Sequence, residues 1–155
     1  MWLGLESETR LKGRGVSACA TCDRFFFKGK DAVVVGGGEV AIGEALFLTK
    51  LVKSVKVFNR GDELKVAKIL EQKAFNNRKI SFVWNSVVEE ILGDKEVEGV
   101  RIKNVQNTAE KSEIKCDGVF VAIGHKPNTE IFRNQIELDN KGYIKNLEGK
   151  EEENA

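Results

Sequence analysis

Residues 32–35 read Ala-Val-Val-Val, three glycines follow at 36–38, and a helical spacing of apolar side chains begins at Glu39. A short β-branched run bounded by glycine predicts a strand buried on both faces. Val40, Ala41, Ala45, Leu48 and Val52 fall near the i, i+4 spacing of a buried helix face, which predicts a helix over about 39–52. Gly43 inside it costs about 1 kcal/mol relative to alanine. The alternation then repeats, with a strand at 54–58, a helix at 64–75 stopping at Asn76-Asn77, and a strand at 80–84. Beyond that the period shortens. Segments 87–92, 97–105 and 113–116, with a turn signal at Gly93-Asp94, predict an antiparallel ribbon. The run 118–124 closes the series as a last buried parallel strand.

The order β-α-β-α-β, antiparallel excursion, closing strand predicts an α/β fold. It is a single Rossmann-like dinucleotide-binding domain, a parallel sheet with helices and a β-meander crossover. The glycine turn sits where such a fold presents main-chain N–H groups and a helix N-terminus to a pyrophosphate. Gly36 suits the tight turn, Gly38 leaves no Cβ in the way of a phosphate, and Ala41 lets the helix pack close on the strand. The candidate contact set is therefore Gly36, Gly37, Gly38, Glu39, Val40 and Ala41.

Composition narrows the partners. The chain has 155 residues, 41% of them hydrophobic and 32% charged, with a net charge of +1. That is the size of one domain able to bury a core. The near-neutral balance argues against nucleic acid or a membrane surface as main partner, and no apolar run reaches bilayer length. With no signal peptide expected, a cytoplasmic location is anticipated. Before the glycine turn, residues 1–18 turn polar after Trp2-Leu3-Gly4-Leu5, and Gly13 and Gly15 are expected to break any regular element. Trp2, Leu3 and Leu5 call for a surface to cover. Phe25-Phe26-Phe27 reads as core, Glu89-Glu90 and Glu151-Glu152-Glu153 as solvated charge, and 148–155 as a fraying tail.

Cys19 and Cys22 are separated by two residues, a spacing that closes a disulfide or grips a metal. A thiol placed before a helix or beside a cation reacts as thiolate, and Asp23 stands ready to move a proton. A structural zinc needs four ligands. Only Cys116 and His125 could complete the set, without paired spacing, so no metal is expected. Two buried cysteines without a role are the plainer alternative.

The end of the second strand selects the dinucleotide. An NAD site wants a carboxylate there to bond the ribose hydroxyls. This chain has Asn59 and Arg60, with Lys65 soon after. Positive charge at that corner suits the extra 2′-phosphate of NADP. His125, the sole histidine, follows the closing strand; alone such a residue is more often packed than catalytic.

Four stretches together resemble the pyridine-nucleotide domain of the low-molecular-weight, bacterial-type thioredoxin reductases, within the FAD/NAD(P)-binding superfamily. They are Gly13-Arg14-Gly15-Val16-Ser17-Ala18-Cys19-Ala20-Thr21-Cys22-Asp23, the glycine turn with Glu44-Ala45-Leu46, Val87-Val88-Glu89-Glu90-Ile91, and Val121-Ala122-Ile123-Gly124-His125-Lys126-Pro127-Asn128-Thr129. The likeness runs from about Trp2 to Tyr143. In that family NADPH reduces FAD, FAD reduces the Cys-x-x-Cys disulfide, and the dithiol reduces thioredoxin.

The resemblance implies that Cys19 and Cys22 are the redox pair and Asp23 the assisting acid. It also adds Ile123, Gly124 and His125 to the cofactor contacts, beside Asn59, Arg60 and Lys65. The family's His-Arg-Arg-x-x-x-Arg phosphate motif retains one arginine here, Arg60, with Lys65 in place of another. Losing guanidinium forks is not conservative, so a weakened NADPH site is expected, with NADH as the alternative ligand. Arg24 stands where the family usually has glycine, either crowding the flavin or lowering the thiol pKa.

The flavin domain of the family is expected to be largely missing. Residues 1–18 then form a residual arm, 19–130 the NAD(P)-binding unit with the redox Cys-x-x-Cys, and 131–155 a residual C-terminal segment. FAD is not expected to be held, so the chain alone is expected to lack reductase activity. The expected partners are a thioredoxin-like protein and a flavin-bearing partner chain or a second copy. Alternatives are a non-catalytic nucleotide-binding module and a structural remnant.

Overall fold

The computed structural model describes residues 2–123, and for positions 21, 22, 24 and 26 the backbone only. The expectations placed on the Cys22, Arg24 and Phe26 side chains, on Gly124 and His125, and on segment 131–155 with its acidic tail lie outside the described residues.

In chain order the elements are α1 (Glu6–Leu11), β1 (Val16–Ser17), α2 (Ala20–Asp23), a 3-10 turn (Arg24–Phe27), β2 (Asp31–Val35), α3 (Glu39–Leu48) and β3 (Ser54–Phe58). Then come α4 (Lys68–Phe75), β4 (Ile80–Val83), β5 (Ser86–Leu92), β6 (Gly99–Asn104), β7 (Lys111–Lys115) and β8 (Gly118–Val121). Five strands form a sheet in the order β1-β8-β2-β3-β4, every neighbouring pair parallel. The others form an antiparallel sheet β5-β6-β7, with an irregularity between Val88 and Glu90. The described residues thus have the expected α/β architecture with a β-meander crossover. No helix among them is long and apolar enough to cross a membrane.

Alternation along each strand explains the layering, because successive side chains point to opposite faces. Ala32 and Val34 of β2, Val55 and Val57 of β3, and Phe120 of β8 join one buried cluster with Ala41, Ile42, Ala45 and Leu48 of α3. Val33, Val35, Phe58, Val119 and Val121 join a second cluster with Val88, Ile91, Val100 and Ile102 of the antiparallel sheet and Leu11 of α1. α2, α3 and α4 cover one face of the parallel sheet, and the meander, with α1 beside it, covers the other. Both faces being dry, β2 reads as an unbroken apolar run.

Several expectations need correction. Residues 1–18 are not free of regular structure: α1 and β1 form there, with Leu11 and Val16 buried. The buried Glu8 carboxylate accepts the Leu3 and Gly4 amides at 2.6 and 3.1 Å and fixes the chain as it enters α1. Leu3 and Leu5 pack on the second cluster. Of the phenylalanine run, Phe27 is buried edge-on to Phe120 at 5.0 Å, whereas Phe25 is exposed. Val40 is not on the buried face of α3; it is 41% exposed. Glu89 and Glu90 are not merely solvated, since they pair with Lys111 and Arg101 across the meander.

Candidate functional site

Two halves of the parallel sheet diverge at β2. From β2 the chain moves through α3 to β3 and β4 on one side, while β8 and β1 lie on the other. Ligands of open α/β sheets occupy the crevice outside the carboxyl ends of the strands at such a switch point. Here the glycine turn stands at the carboxyl end of β2, against the residue that follows β8.

Each glycine of the turn has a different neighbourhood. Gly36 has φ of +145°, donates its N–H to Phe58 O at 3.0 Å, and faces Ala122 so closely that a Cβ would strike its carbonyl. The same Cβ would lie 2.9 Å from the Ala41 methyl, which accounts for the small residue at 41. A Cβ on Gly37 would stand 2.5 Å from Asn59 Oδ1. Around Gly38 a Cβ would meet nothing within 4 Å. Gly38 is also the N-cap of α3, with no side-chain cap bond. A helix leaves its first N–H groups without intrahelical partners. The turn therefore offers oriented amides and the positive end of the helix dipole beside an opening that a side chain would narrow. These residues fit a dinucleotide pyrophosphate.

The second-strand corner folds back onto this turn. Lys65 donates its N–H to Gly37 O at 3.0 Å and bridges Gly38, and Glu39 Oε1 accepts the Ala67 N–H at 3.2 Å. That tie keeps residues 64–67 non-helical, so α4 begins at Lys68 rather than at 64 as expected. Asn59 is buried and committed to the loop: Nδ2 donates to Glu63 O at 2.6 Å and Oδ1 accepts from Gly61 at 3.4 Å. Arg60 and Lys65 stay exposed beside the turn. Val40 and Ile123 are exposed apolar residues near the crevice, one in the first turn of α3 and one just past β8.

The cysteine segment follows the carboxyl end of β1, two strand positions from the turn, or about 10 Å by sheet spacing. Cys19 is disulfide-bonded. Its N–H donates to Ser17 Oγ at 3.0 Å, the Ser17 hydroxyl donates to Cys19 O at 3.2 Å, and Asp23 N–H donates to Cys19 O at 3.2 Å. Asp23 itself lines a cavity of about 170 Å³ with Arg14, Phe27, Lys30 and Asp117. Lys30 and Asp117 precede β2 and β8, so Asp23 faces the amino ends of the strands, away from the glycine turn.

Cys116 is free and buried at those amino ends, whereas Cys19 lies at the carboxyl ends. Among the described residues no group of three or more His, Cys, Asp or Glu side chains comes together in a way that could hold a metal ion. Sequence reasoning gave Glu44, on α3, no part: its Oε2 is buried with no hydrogen-bond partner, and burial, the larger effect, raises its pKa while the backbone of Ala20 lowers it.

The sequence profile of the pyridine nucleotide-disulphide oxidoreductase family matches residues 2–149. The chain is 50% identical over 143 residues to a thioredoxin reductase of Streptomyces coelicolor, covering 92% of this chain and 44% of that protein. To the thioredoxin reductase of Rickettsia conorii it is 51% identical over 146 residues, covering 92% and 47%. Among solved structures, Lactococcus lactis thioredoxin reductase in its FR conformation superposes with a TM-score of 0.86 at 38% identity, covering 94% of this chain and 48% of that one. Thioredoxin reductase from T. acidophilum gives 0.85 at 34% identity, covering 93% and 47%. The chain spans about half the length of the relatives it matches. With its α/β sheet, its switch-point turn and this likeness over nearly its whole length, the chain belongs to the pyridine nucleotide-disulphide oxidoreductase family, as a thioredoxin reductase-like member of the FAD/NAD(P)-binding superfamily.

Proposed function

We propose that this chain carries the pyridine-nucleotide site and the redox-active dithiol of a thioredoxin reductase-like system. The observation that carries this reading is the uncapped N-terminus of α3 beside the open space at Gly38. The amides of Gly37, Gly38, Glu39, Val40 and Ala41 hold the pyrophosphate of NADPH, with Gly36 making the tight turn. Asn59 shapes the corner from within, and Arg60 and Lys65 receive the 2′-phosphate. Val40 and Ile123 give the ligand an apolar wall, and Gly124 and His125 are further contacts on the family resemblance alone. When bound, the coenzyme supplies a hydride donor.

Cys19 and Cys22 are the dithiol/disulfide pair, with Asp23 as the acid that moves a proton during exchange. A thioredoxin-like protein is the electron acceptor. The flavin that links nicotinamide to disulfide is held by a flavin-bearing partner chain or with a second copy. Without it this chain is a nucleotide-binding module and not a reductase. A reductase assay with NADPH and thioredoxin, with and without FAD and a flavin-domain protein, tests this. Turnover by the chain alone, without added flavin, contradicts it.

Selectivity belongs to the same site. Charge-assisted hydrogen bonds contribute roughly 1.5–3 kcal/mol, and Arg60 is exposed, so the low end applies. Arg60→Ala should weaken NADPH about tenfold and leave NADH nearly unchanged. Equal loss for both coenzymes in a titration removes Arg60 from the phosphate role.

A further inference from the structure

The chain between β3 and α4 alternates over 64–67: Leu64 is buried, Lys65 exposed, Val66 packed on the helix-side cluster and Ala67 exposed. In an extended segment, residues two apart present their side chains to one face and their amides to one edge. The Lys65 and Ala67 amides accordingly both turn toward the glycine turn. The first donates to Gly37 O at 3.0 Å, the second to Glu39 Oε1 at 3.2 Å. The near end of the loop is held by Asn59, through Glu63 O, and by the Asn85 N–H, which donates to Gly61 O at 2.9 Å. Beyond Lys65 the hold passes to the Glu39 side chain. Ala67 is the N-cap of α4 and makes no side-chain cap bond, so this fixing of the helix start comes from the neighbouring helix.

No ion pair among the described residues takes up the Lys65 ammonium or the Glu39 carboxylate. An arginine fork fixes its own geometry on a phosphate, whereas a lysine is a point charge on a flexible four-carbon stem. What aims the Lys65 ammonium is therefore the backbone beneath it.

We propose that Glu39 is a positioning residue for coenzyme selectivity: by accepting the Ala67 N–H it keeps 64–67 extended and holds Lys65 beside the glycine turn, where its ammonium meets the 2′-phosphate of NADPH. The inference deepens the dinucleotide reading of that turn and rests on it. NADH carries no phosphate there, so its affinity does not pass through Lys65. What Glu39 contributes is an acceptor oxygen, which glutamine also has.

The test titrates the full chain and its variants with NADPH and NADH by calorimetry, with melting temperatures alongside. Glu39→Ala should lower the preference for NADPH over NADH about fivefold, the scale of one hydrogen bond. Glu39→Leu, a good helix former without the acceptor, should do the same if the alanine variant fails to fold. Glu39→Gln should stay within roughly twofold of the parent. In a Lys65→Ala background, Glu39→Ala should leave the ratio unchanged, since residues that act through one another are not additive. An unmoved ratio in a folded alanine variant, or equal loss for both coenzymes, makes Glu39 a support of the turn only and overturns the proposal. A glutamine variant that gains NADPH preference assigns the effect to charge and also overturns it. So does a full Glu39→Ala effect in the Lys65→Ala background. Flat titrations of the parent with both coenzymes defeat the dinucleotide reading itself, whereas binding with an unmoved ratio defeats this inference alone.

Discussion

Gly36 and Gly38 are two residues apart and answer to different constraints. At Gly36 the positive φ and the carbonyl of Ala122 exclude any side chain. Gly36→Ala should therefore cost more than about 1 kcal/mol of stability. Gly38 has φ of −93° and open space, so Gly38→Ala should fold with an unchanged melting temperature. It should instead bind coenzyme on the order of tenfold more weakly, since its methyl narrows the approach to the amides. Paired melting and coenzyme titration distinguish a folding glycine from a binding one; loss of stability in both variants undoes that distinction.

Cys116 gives a second test among single residues. Burial, chiefly, with Asp117 and Asp31 nearby, pushes its thiol from 9.0 up to about 12. The unfolded chain releases that proton near pH 9 while the folded chain keeps it, so stability falls as pH rises from about 9 toward 12. The slope reaches at most about 1.4 kcal/mol per pH unit. Denaturant melts of the parent and Cys116→Ala at pH 8, 9 and 10 should diverge, the variant losing less. Parallel losses refute the buried-thiol account.

Among the elements, α3 joins the nucleotide turn to the cysteine segment, and its weak point is Gly43. That residue is exposed, and a Cβ there would meet nothing within 4 Å. Gly43→Ala should stabilise the fold by about 0.5–1 kcal/mol, raising the melting temperature by about 1–4 °C. A lower melting temperature shows that the position carries something other than helix propensity.

The limits of β3 were legible in the sequence, because its β-branched and aromatic run is bounded by polar residues. The start of α4 was not. Its apolar spacing begins at Leu64, but the Lys65 amide is claimed by Gly37 from a distant part of the chain. Nor was α1 legible: six residues with two acidic groups in the first turn carry little helical pattern, and Glu8 secures them through amides that precede the helix. For α3 the spacing suggested an end near 52, yet the helix stops at Leu48. Lys79, arriving from before β4, donates to the carbonyls of Thr49 and Val52 at 2.8 and 3.0 Å and holds the turn that follows.

At the scale of the described fold, the glycine turn and Cys19 both follow carboxyl ends of strands of one sheet, β2 and β1, with β8 between those strands. The glycine turn could be found in the sequence because its chemistry is local. The buried, unpartnered Oε2 of Glu44 could not, since nothing in its spacing shows that the carboxylate is covered. The crevice also depends on strand order, which periodicity does not reveal. Only the placement of β8 beside β2 brings Ala122 against Gly36.

Isothermal titration calorimetry of the chain with NADPH and NADH tests the central claim most directly. The account predicts saturable heat with both, a tighter constant for NADPH, and about 2.7 kcal/mol of added stability at 100 times the dissociation constant. Titrations flat to millimolar coenzyme, with an unmoved melting temperature, contradict it.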